Sequence, residues 1–427
     1  MRFTEDELVV GAGARLSRRR RLYLAVLLGM LAAFGPLCTD TYLPSLPAMG
    51  ADLSLSTAAT QLTITACLLG MALGQLFVGP LSDGTGRRGP LLCALVFFTL
   101  ASACCVAARS GHGFIALRFA QGLGGAGGIV LSRAVACDLF RGPELTSFMS
   151  LLMAVNSVAP IAGPVLGGAL AGLGGWPWVF IFLTGMGVAL LLFCAFGLPE
   201  TLPPKLRRQG GTRASLQATA ALCRDPAFMC YVGMQGFTMG GFFGYVAASP
   251  FVFQGMYGIS PTGYSLIFGG NALSVTIMAL ITGRLARSRG EMRLLNVGNW
   301  LRLVACLAVL AVTLLRPASP LPIMASLYAM LVLQGMTMPC AFTLAIEAQR
   351  VGAGTASGLL GVAMFLAGAA SSPLVGLGGP DTAVPLGLIC AASGLLALIT
   401  GLAGNRLLAR RRAQETPAQE QSALRPH

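Results

Sequence analysis

Long apolar runs, each about the length of a bilayer crossing, alternate with short polar connections along almost the whole chain. A helix needs about 20 predominantly apolar residues to cross the hydrocarbon core of a membrane. Runs of that kind lie near residues 22–43, 58–81, 90–108, 113–137, 146–172 and 178–198. A polar stretch follows, with Lys205, Arg207, Arg208, Arg213 and Arg224. Six more runs lie near 227–254, 261–284, 294–315, 322–346, 352–377 and 382–403. The pattern predicts an all-α membrane protein of twelve transmembrane helices in two pseudo-symmetric six-helix bundles. The expected organisation is a tail over 1–21, a bundle over 22–198, a linker over 199–226, a bundle over 227–403 and a tail over 404–427. The first run continues for a full span directly after Arg18, Arg19, Arg20 and Arg21. A secretory leader has a shorter apolar core and a small-residue cleavage site, so this run is expected to be the first helix.

Charge in the connections sets the expected orientation, because cytoplasmic loops carry the excess of Lys and Arg. Basic residues fill the N-terminal tail, the even-numbered connections (Arg87 and Arg88, Arg141, the central cluster, Arg284, Arg287, Arg289 and Arg293, Arg350) and the C-terminal tail. The opposite loops hold only Arg109 and Arg316. Both termini and the linker are therefore expected on the cytoplasmic side of a bacterial inner membrane. The two halves also echo each other. Residues 79–88, GPLSDGTGRR, have a partner half a chain later in residues 283–290, GRLARSRG, as repeated units would.

Composition narrows the function. Only 10% of residues are charged against 55% hydrophobic, whereas an average soluble domain carries about 25% charged residues. The net charge of +14 is confined to short connections and forms no basic face with interleaved aromatics, which argues against nucleic acid as a partner. Twelve cysteines form no CxxC pair, and His112 and His427 are the only histidines, so no metal site is expected. No GxxxxGK[ST] motif marks nucleotide hydrolysis, and no nucleophile–base pair marks a membrane enzyme. Protons and the bilayer are the expected partners, with no cofactor and a monomeric state.

Charged side chains at membrane depth are costly and are functional candidates by default. The apolar runs contain Asp40, Arg118, Arg133 and Arg302. Asp40 lies roughly 27 Å along a helix starting at residue 22, and Arg118 about one turn below the external end of the fourth run. Sharing one leaflet, the two can face one cavity as a proton-coupling pair; otherwise Asp40 caps its helix and Arg118 snorkels to the head groups. Arg302 reads as a snorkelling residue, and Arg133 is open between an inner cavity and snorkelling. The fifth run holds Gly163-Pro164 and Gly167-Gly168 within a stretch of small residues that permits close helix approach and a bend. Tyr42, Gln61, Asn156, Phe237, Tyr245, Asn271 and Gln334 are candidate cavity-lining residues, offering an apolar surface with a few polar handles.

At these positions the sequence resembles the major facilitator superfamily, and within it the bicyclomycin/chloramphenicol-resistance drug:proton antiporters. Residues 39–47, TDTYLPSLP, resemble that family's first-helix motif, whose aspartate (here Asp40) is implicated in proton coupling. Gly79, Asp83, Gly86, Arg87 and Arg88 match the superfamily's cytoplasmic gating loop, which works with Asp138. Residues 117–122, LRFAQG, resemble the motif containing the coupling arginine, here Arg118. Gly163, Pro164, Gly167 and Gly168 match the fifth-helix antiporter motif, and residues 249–251 and 353–356 resemble subfamily landmarks. Two departures stand out: Gly84 occupies a usually basic position, and Cys137 replaces a usual arginine, which would weaken the gating network unless Arg133 compensates. The resemblance implies the major facilitator fold and proton-driven efflux of small lipophilic, chloramphenicol- or bicyclomycin-like compounds by alternating access. Uptake of a small metabolite is the alternative.

Overall fold

The computed structural model describes residues 17–140, 142–207, 217, 220–349, 353–379 and 381–423. The expected Arg141, Arg208, Arg213 and Arg350 lie outside them, as do the side chains of Asn156 and residues 353–355. The first span, α1, is broken. It runs Arg18–Ala32, resumes over Phe34–Asp40 with a 45° bend, and reaches Leu46–Asp52 through a short 3₁₀ turn. Pro36 explains the break, because it has no N–H to offer the Ala32 carbonyl and its ring crowds the preceding turn. The spans that follow are α2 (Thr57–Thr85), α3 (Arg88–Val106), α4 (Gly111–Leu139), α5 (Gly142–Gly174) and α6 (Pro177–Gly197). The second set is α7 (Pro226–Pro250), α8 (Pro261–Arg289), α9 (Glu291–Leu315), α10 (Leu321–Ala348), α11 (Ala353–Gly376) and α12 (Val384–Ala423).

Among the described residues, ten helices are long and apolar enough to cross a bilayer, and the bent α1 makes eleven. The 33-residue α5 completes twelve. Their starts follow local chemistry. Ser56 and Ser260 cap α2 and α8 by accepting the N–H of Ala59 and Gly263, and Asp225 caps α7 from just before Pro226. Two boundaries differ from the expected ones. The arginines at 18–21 already belong to α1, capped by Ser17. The last helix continues well past 403, where Arg406, Leu407, Leu408, Ala409 and Arg410 to Arg412 are strong helix formers and Arg411 and Arg412 are tied to Asp225 and Glu347.

The same pairings recur in both sets of helices: α2 with α4 as α8 with α10, α1 with α5 as α7 with α11, and α3 with α6 as α9 with α12. Between the sets, α2 packs on α11 and α5 on α8. Glycines set the closest crossings. A Cβ on Gly70 would strike the Phe119 carbonyl, and one on Gly122 the Cys67 carbonyl, so α2 and α4 meet backbone to backbone. At the arginine-rich end of α7–α12, α12 is clasped to its neighbours. Arg411 donates to both carboxylate oxygens of Asp225 at 2.7 and 2.9 Å and to the Ala348 carbonyl, and Arg412 pairs with Glu347. Burial alone would raise the Asp225 carboxyl, but the Arg411 guanidinium holds it below the usual carboxylate range.

Candidate functional site

Asp40 closes the second segment of α1 and is 4% exposed. Its carboxylate accepts a hydrogen bond from the Thr39 hydroxyl at 2.8 Å. Opposite it stands the small-residue face of α5: a Cβ on Gly163 would sit 3.4 Å from the Asp40 Cβ, and one on Gly167 would collide with the Thr41 carbonyl. Gly168 faces Ser265 of α8. The glycine face of α5 thus contacts both the acid-bearing end of α1 and the other set of helices. From that other set, Tyr245 and Tyr264 are both buried and hydrogen-bonded. Asn271 donates to the Tyr245 hydroxyl at 3.0 Å, Ser249 and Tyr264 share a hydrogen bond of 2.9 Å, and Tyr245 stacks on Phe268.

Arg118 does not pair with Asp40. It is fully buried inside the first set of helices, so it does not snorkel. Its guanidinium donates to the Cys38 carbonyl at 2.8 Å and to the Gln121 amide oxygen, and lies 4.3 Å above the Tyr42 ring and 5.6 Å from that of Phe180. Gln121 in turn donates to Ser102 at 2.7 Å. The expectation of two opposite charges facing one cavity is corrected: α4 grips the α1 backbone two residues before the acid. That choice has a physical basis, because a carbonyl near a helix C-terminus and an aromatic face both attract a cation without burying a second charge.

The cavity candidates divide. Gln61, Tyr245 and Asn271 lie where the two sets of helices meet: the Gln61 amide donates to the Ala247 carbonyl at 3.3 Å, and a Cβ on Gly376 of α11 would strike Gln61. With Gly168 against Ser265, these contacts close the arginine-poor end of the interface in this conformation. Tyr42 is instead a wall of the Arg118 niche, its hydroxyl 2.9 Å from Thr63. Gln334 is buried beside Met239. Phe237 is a correction. It is exposed, on the side of α7 that neighbours Thr400 of α12, and Tyr245 lies about 80° further round the helix, since each residue advances the direction by about 100°. Arg302 is another, being 1% exposed with a hydrogen bond to the Thr238 carbonyl at 3.3 Å, so it pins α9 to α7 and does not snorkel.

The gating-loop residues come together at the arginine-rich end. Arg87 donates to Asp83 at 2.5 Å, to Asp138 at 2.9 Å and to Ser82 at 2.7 Å. Burial works against its charge, but the two carboxylates outweigh this and raise it. Arg88 donates to the Ala195 carbonyl at 2.6 Å. Gly84 and Cys137 therefore do not break this network, and Arg133 makes no ion pair within it among the described residues. Sequence reasoning missed Glu200, which accepts the backbone N–H groups of Arg87, Thr201 and Leu202 on one oxygen and that of Arg88 on the other. Gly86 makes room for it, with φ at +103° and a Cβ position 2.6 Å from the carboxylate. Its signal was the carboxylate just after the sixth run. Glu200→Ala should cost about 1–2 kcal/mol by stripping the α3 N-terminus of its acceptor. The half-exposed Asp83→Ala should cost less, and detergent melting curves of the two variants check the order.

Comparisons with known proteins agree with this arrangement. The profile of the Major Facilitator Superfamily matches residues 28–372. The chain is 42% identical over 87% of its length to the uncharacterized MFS-type transporter YdgK of Bacillus subtilis, of which it covers 92%. It is 30% identical, over 87% of its length, to a bicyclomycin resistance protein homolog of Haemophilus influenzae, of which it covers 93%. Its fold matches a bacterial homolog of the human lysosomal transporter Spinster in an inward-facing, unoccupied conformation. There the TM-score is 0.74 at 16% identity, across 92% of this chain and 98% of that one. With twelve helices in a repeated arrangement, a profile match along most of its length and relatives aligned nearly end to end, the chain belongs to the Major Facilitator Superfamily of membrane transporters.

Proposed function

We propose that this transporter exports small lipophilic compounds of the chloramphenicol or bicyclomycin type across the bacterial inner membrane in exchange for protons. It acts as a monomer with both termini in the cytoplasm. The observation that carries the reading is the placement of Asp40: a buried carboxyl, without a counter-cation among the described residues, against the glycine face of α5 that also meets α8. A carboxylate in so apolar a place is stable only when neutral or when its surroundings rearrange. Proton binding from outside neutralises Asp40, relaxes its hold on polar neighbours and favours release of the compound outward. Proton loss to the cytoplasm resets the acid for the next compound. The Arg118 grip on the Cys38 carbonyl transmits movement of this end of α1 to α4, and the Arg87 network together with Glu200 braces the cytoplasmic ends of α2, α3 and α4 as one body. A relative named for bicyclomycin resistance supports the compound class.

Direction of transport tests the proposal. In respiring everted vesicles, labelled chloramphenicol should accumulate in the acidic lumen, and a protonophore should abolish the accumulation. Movement out of the lumen with protons would establish uptake in place of export. No proton-dependent movement of any lipophilic drug would overturn the compound class.

A further inference from the structure

Where the first half ties Arg87 to two carboxylates, the second half leaves the arginines of the echoing loop without an ion pair among the described residues. In the echo of the gating loop, Arg284, Arg287, Arg289 and Arg293 form no ion pair among the described residues, whereas Arg87 engages both Asp83 and Asp138. A shallow, open depression lies at this end of the bundle, lined among others by Arg289, Glu291, Arg293, Asn296, Val297 and Arg412. Arg289 ends α8 and Arg293 sits in the first turn of α9, either side of Gly290, whose φ of +76° turns the chain. Both arginines are exposed. Arg412 reaches in from α12 while paired with Glu347. The N–H groups at the start of α9 add partial positive charge at the same place, with Glu291 as the opposing carboxylate.

The membrane side of this depression is apolar. Val297, Trp300, Leu301, Val304 and Leu307 are all exposed, and they recur at helical spacing along one face of α9 leading away from Arg293. A basic depression at the membrane surface, opening onto an apolar helix face with a tryptophan near the boundary, matches a molecule with an anionic head and hydrocarbon tails. We infer that this depression holds the headgroup of an anionic phospholipid, its phosphate between Arg289 and Arg293 and its acyl chains along the exposed face of α9. Charge complementarity selects this occupant: Arg289 and Arg293 have no ion-pair partner among the described residues, leaving net positive charge beside Glu291, and the flanking surface is one that lipid tails cover. The lipid would bridge α8, α9 and the end of α12, adding to the clasp of Arg411 and Arg412. The site is independent of the direction of transport and of Asp40.

The test is native mass spectrometry of the purified full-length transporter, titrated with phosphatidylglycerol, phosphatidylethanolamine and phosphatidylcholine of matched chains. The variants are Arg289→Gln/Arg293→Gln and, as a control with equal charge loss at the same end, Arg406→Gln/Arg410→Gln. Phosphatidylglycerol should bind the wild type more tightly than the two zwitterionic lipids. Its apparent affinity should fall about tenfold in the first variant and stay within about twofold of wild type in the control. Glycerol phosphate at the same concentration should not displace it, which identifies a lipid and not a free phosphate as the occupant. Melting in lipid-free detergent shows that the exposed substitutions leave the fold intact. Unchanged phosphatidylglycerol binding in the first variant, equal loss in the control, equal binding of all three lipids, or displacement by glycerol phosphate would each overturn the assignment.

Discussion

Asp40→Asn should leave a folded transporter that no longer couples drug to proton. Asparagine has nearly the shape of the acid and still accepts the Thr39 hydroxyl bond, so packing against Gly163 is preserved. It cannot take up a proton. The measurement is the pH gradient of energised everted vesicles after addition of chloramphenicol-type and other lipophilic drugs. Wild type should dissipate part of the gradient on drug addition, and Asp40→Asn should lose at least about tenfold of that response, as expected when a proton-exchanging group is removed. Equal responses would make Asp40 a structural acid. Binding measured without a gradient should persist in the variant, which separates lost coupling from lost affinity.

Gly167→Ala carries the second large effect, and it comes from the backbone. The added methyl would run into the Thr41 carbonyl and its carbon, atoms that belong to a packed helix end and cannot swing aside. Overpacking of this kind costs about 1–3 kcal/mol when the backbone must shift. The shift would also part α5 from the segment that carries Asp40, so transport should fall along with the unfolding midpoint. Gly163→Ala and Gly168→Ala are the internal comparisons. The first meets the Asp40 Cβ at 3.4 Å, near ordinary contact, and the second meets the Ser265 hydroxyl, which can rotate away, and the Ser265 Cβ at 3.3 Å, which must give by a few tenths of an ångström. Both should retain most transport and melt close to wild type. A Gly167→Ala protein as stable and active as these two would show that the α1–α5 crossing has slack that this geometry does not contain.

Twelve runs of apolar residues were legible because bilayer length and hydropathy act on each segment locally. The clustering of arginine in alternate connections was legible for the same reason. Asp40 stood out because an acid inside such a run is expensive whatever its neighbours are. The gating loop was legible as a motif, and the ion pairs of Arg87 with Asp83 and Asp138 formed despite Gly84 and Cys137, since each pair needs only its own two partners within reach.

Partners were a different matter. That Arg118 grips the Cys38 carbonyl and the Tyr42 ring and not Asp40 depends on how α1 bends and how α4 rolls against it. Charge alone favours the opposite choice. Glu200 lies far along the chain from the N–H groups of Arg87 and Arg88 that it caps, so no local pattern pairs them. Arg302 is buried and Phe237 faces outward because of the rotation of α9 and α7 in their bundle, a property that nearly uniform apolar helices do not encode in their periodicity. The sequence by itself determined the number of spans, the end at which positive charge gathers and the acid most costly to bury. Tertiary structure alone decided which buried charges meet, which glycines admit no methyl and which loop arginines find a carboxylate among the described residues. The physical reason is range: hydropathy and helix propensity act over a few residues, while close packing and hydrogen-bond pairing are settled only when distant helices come together.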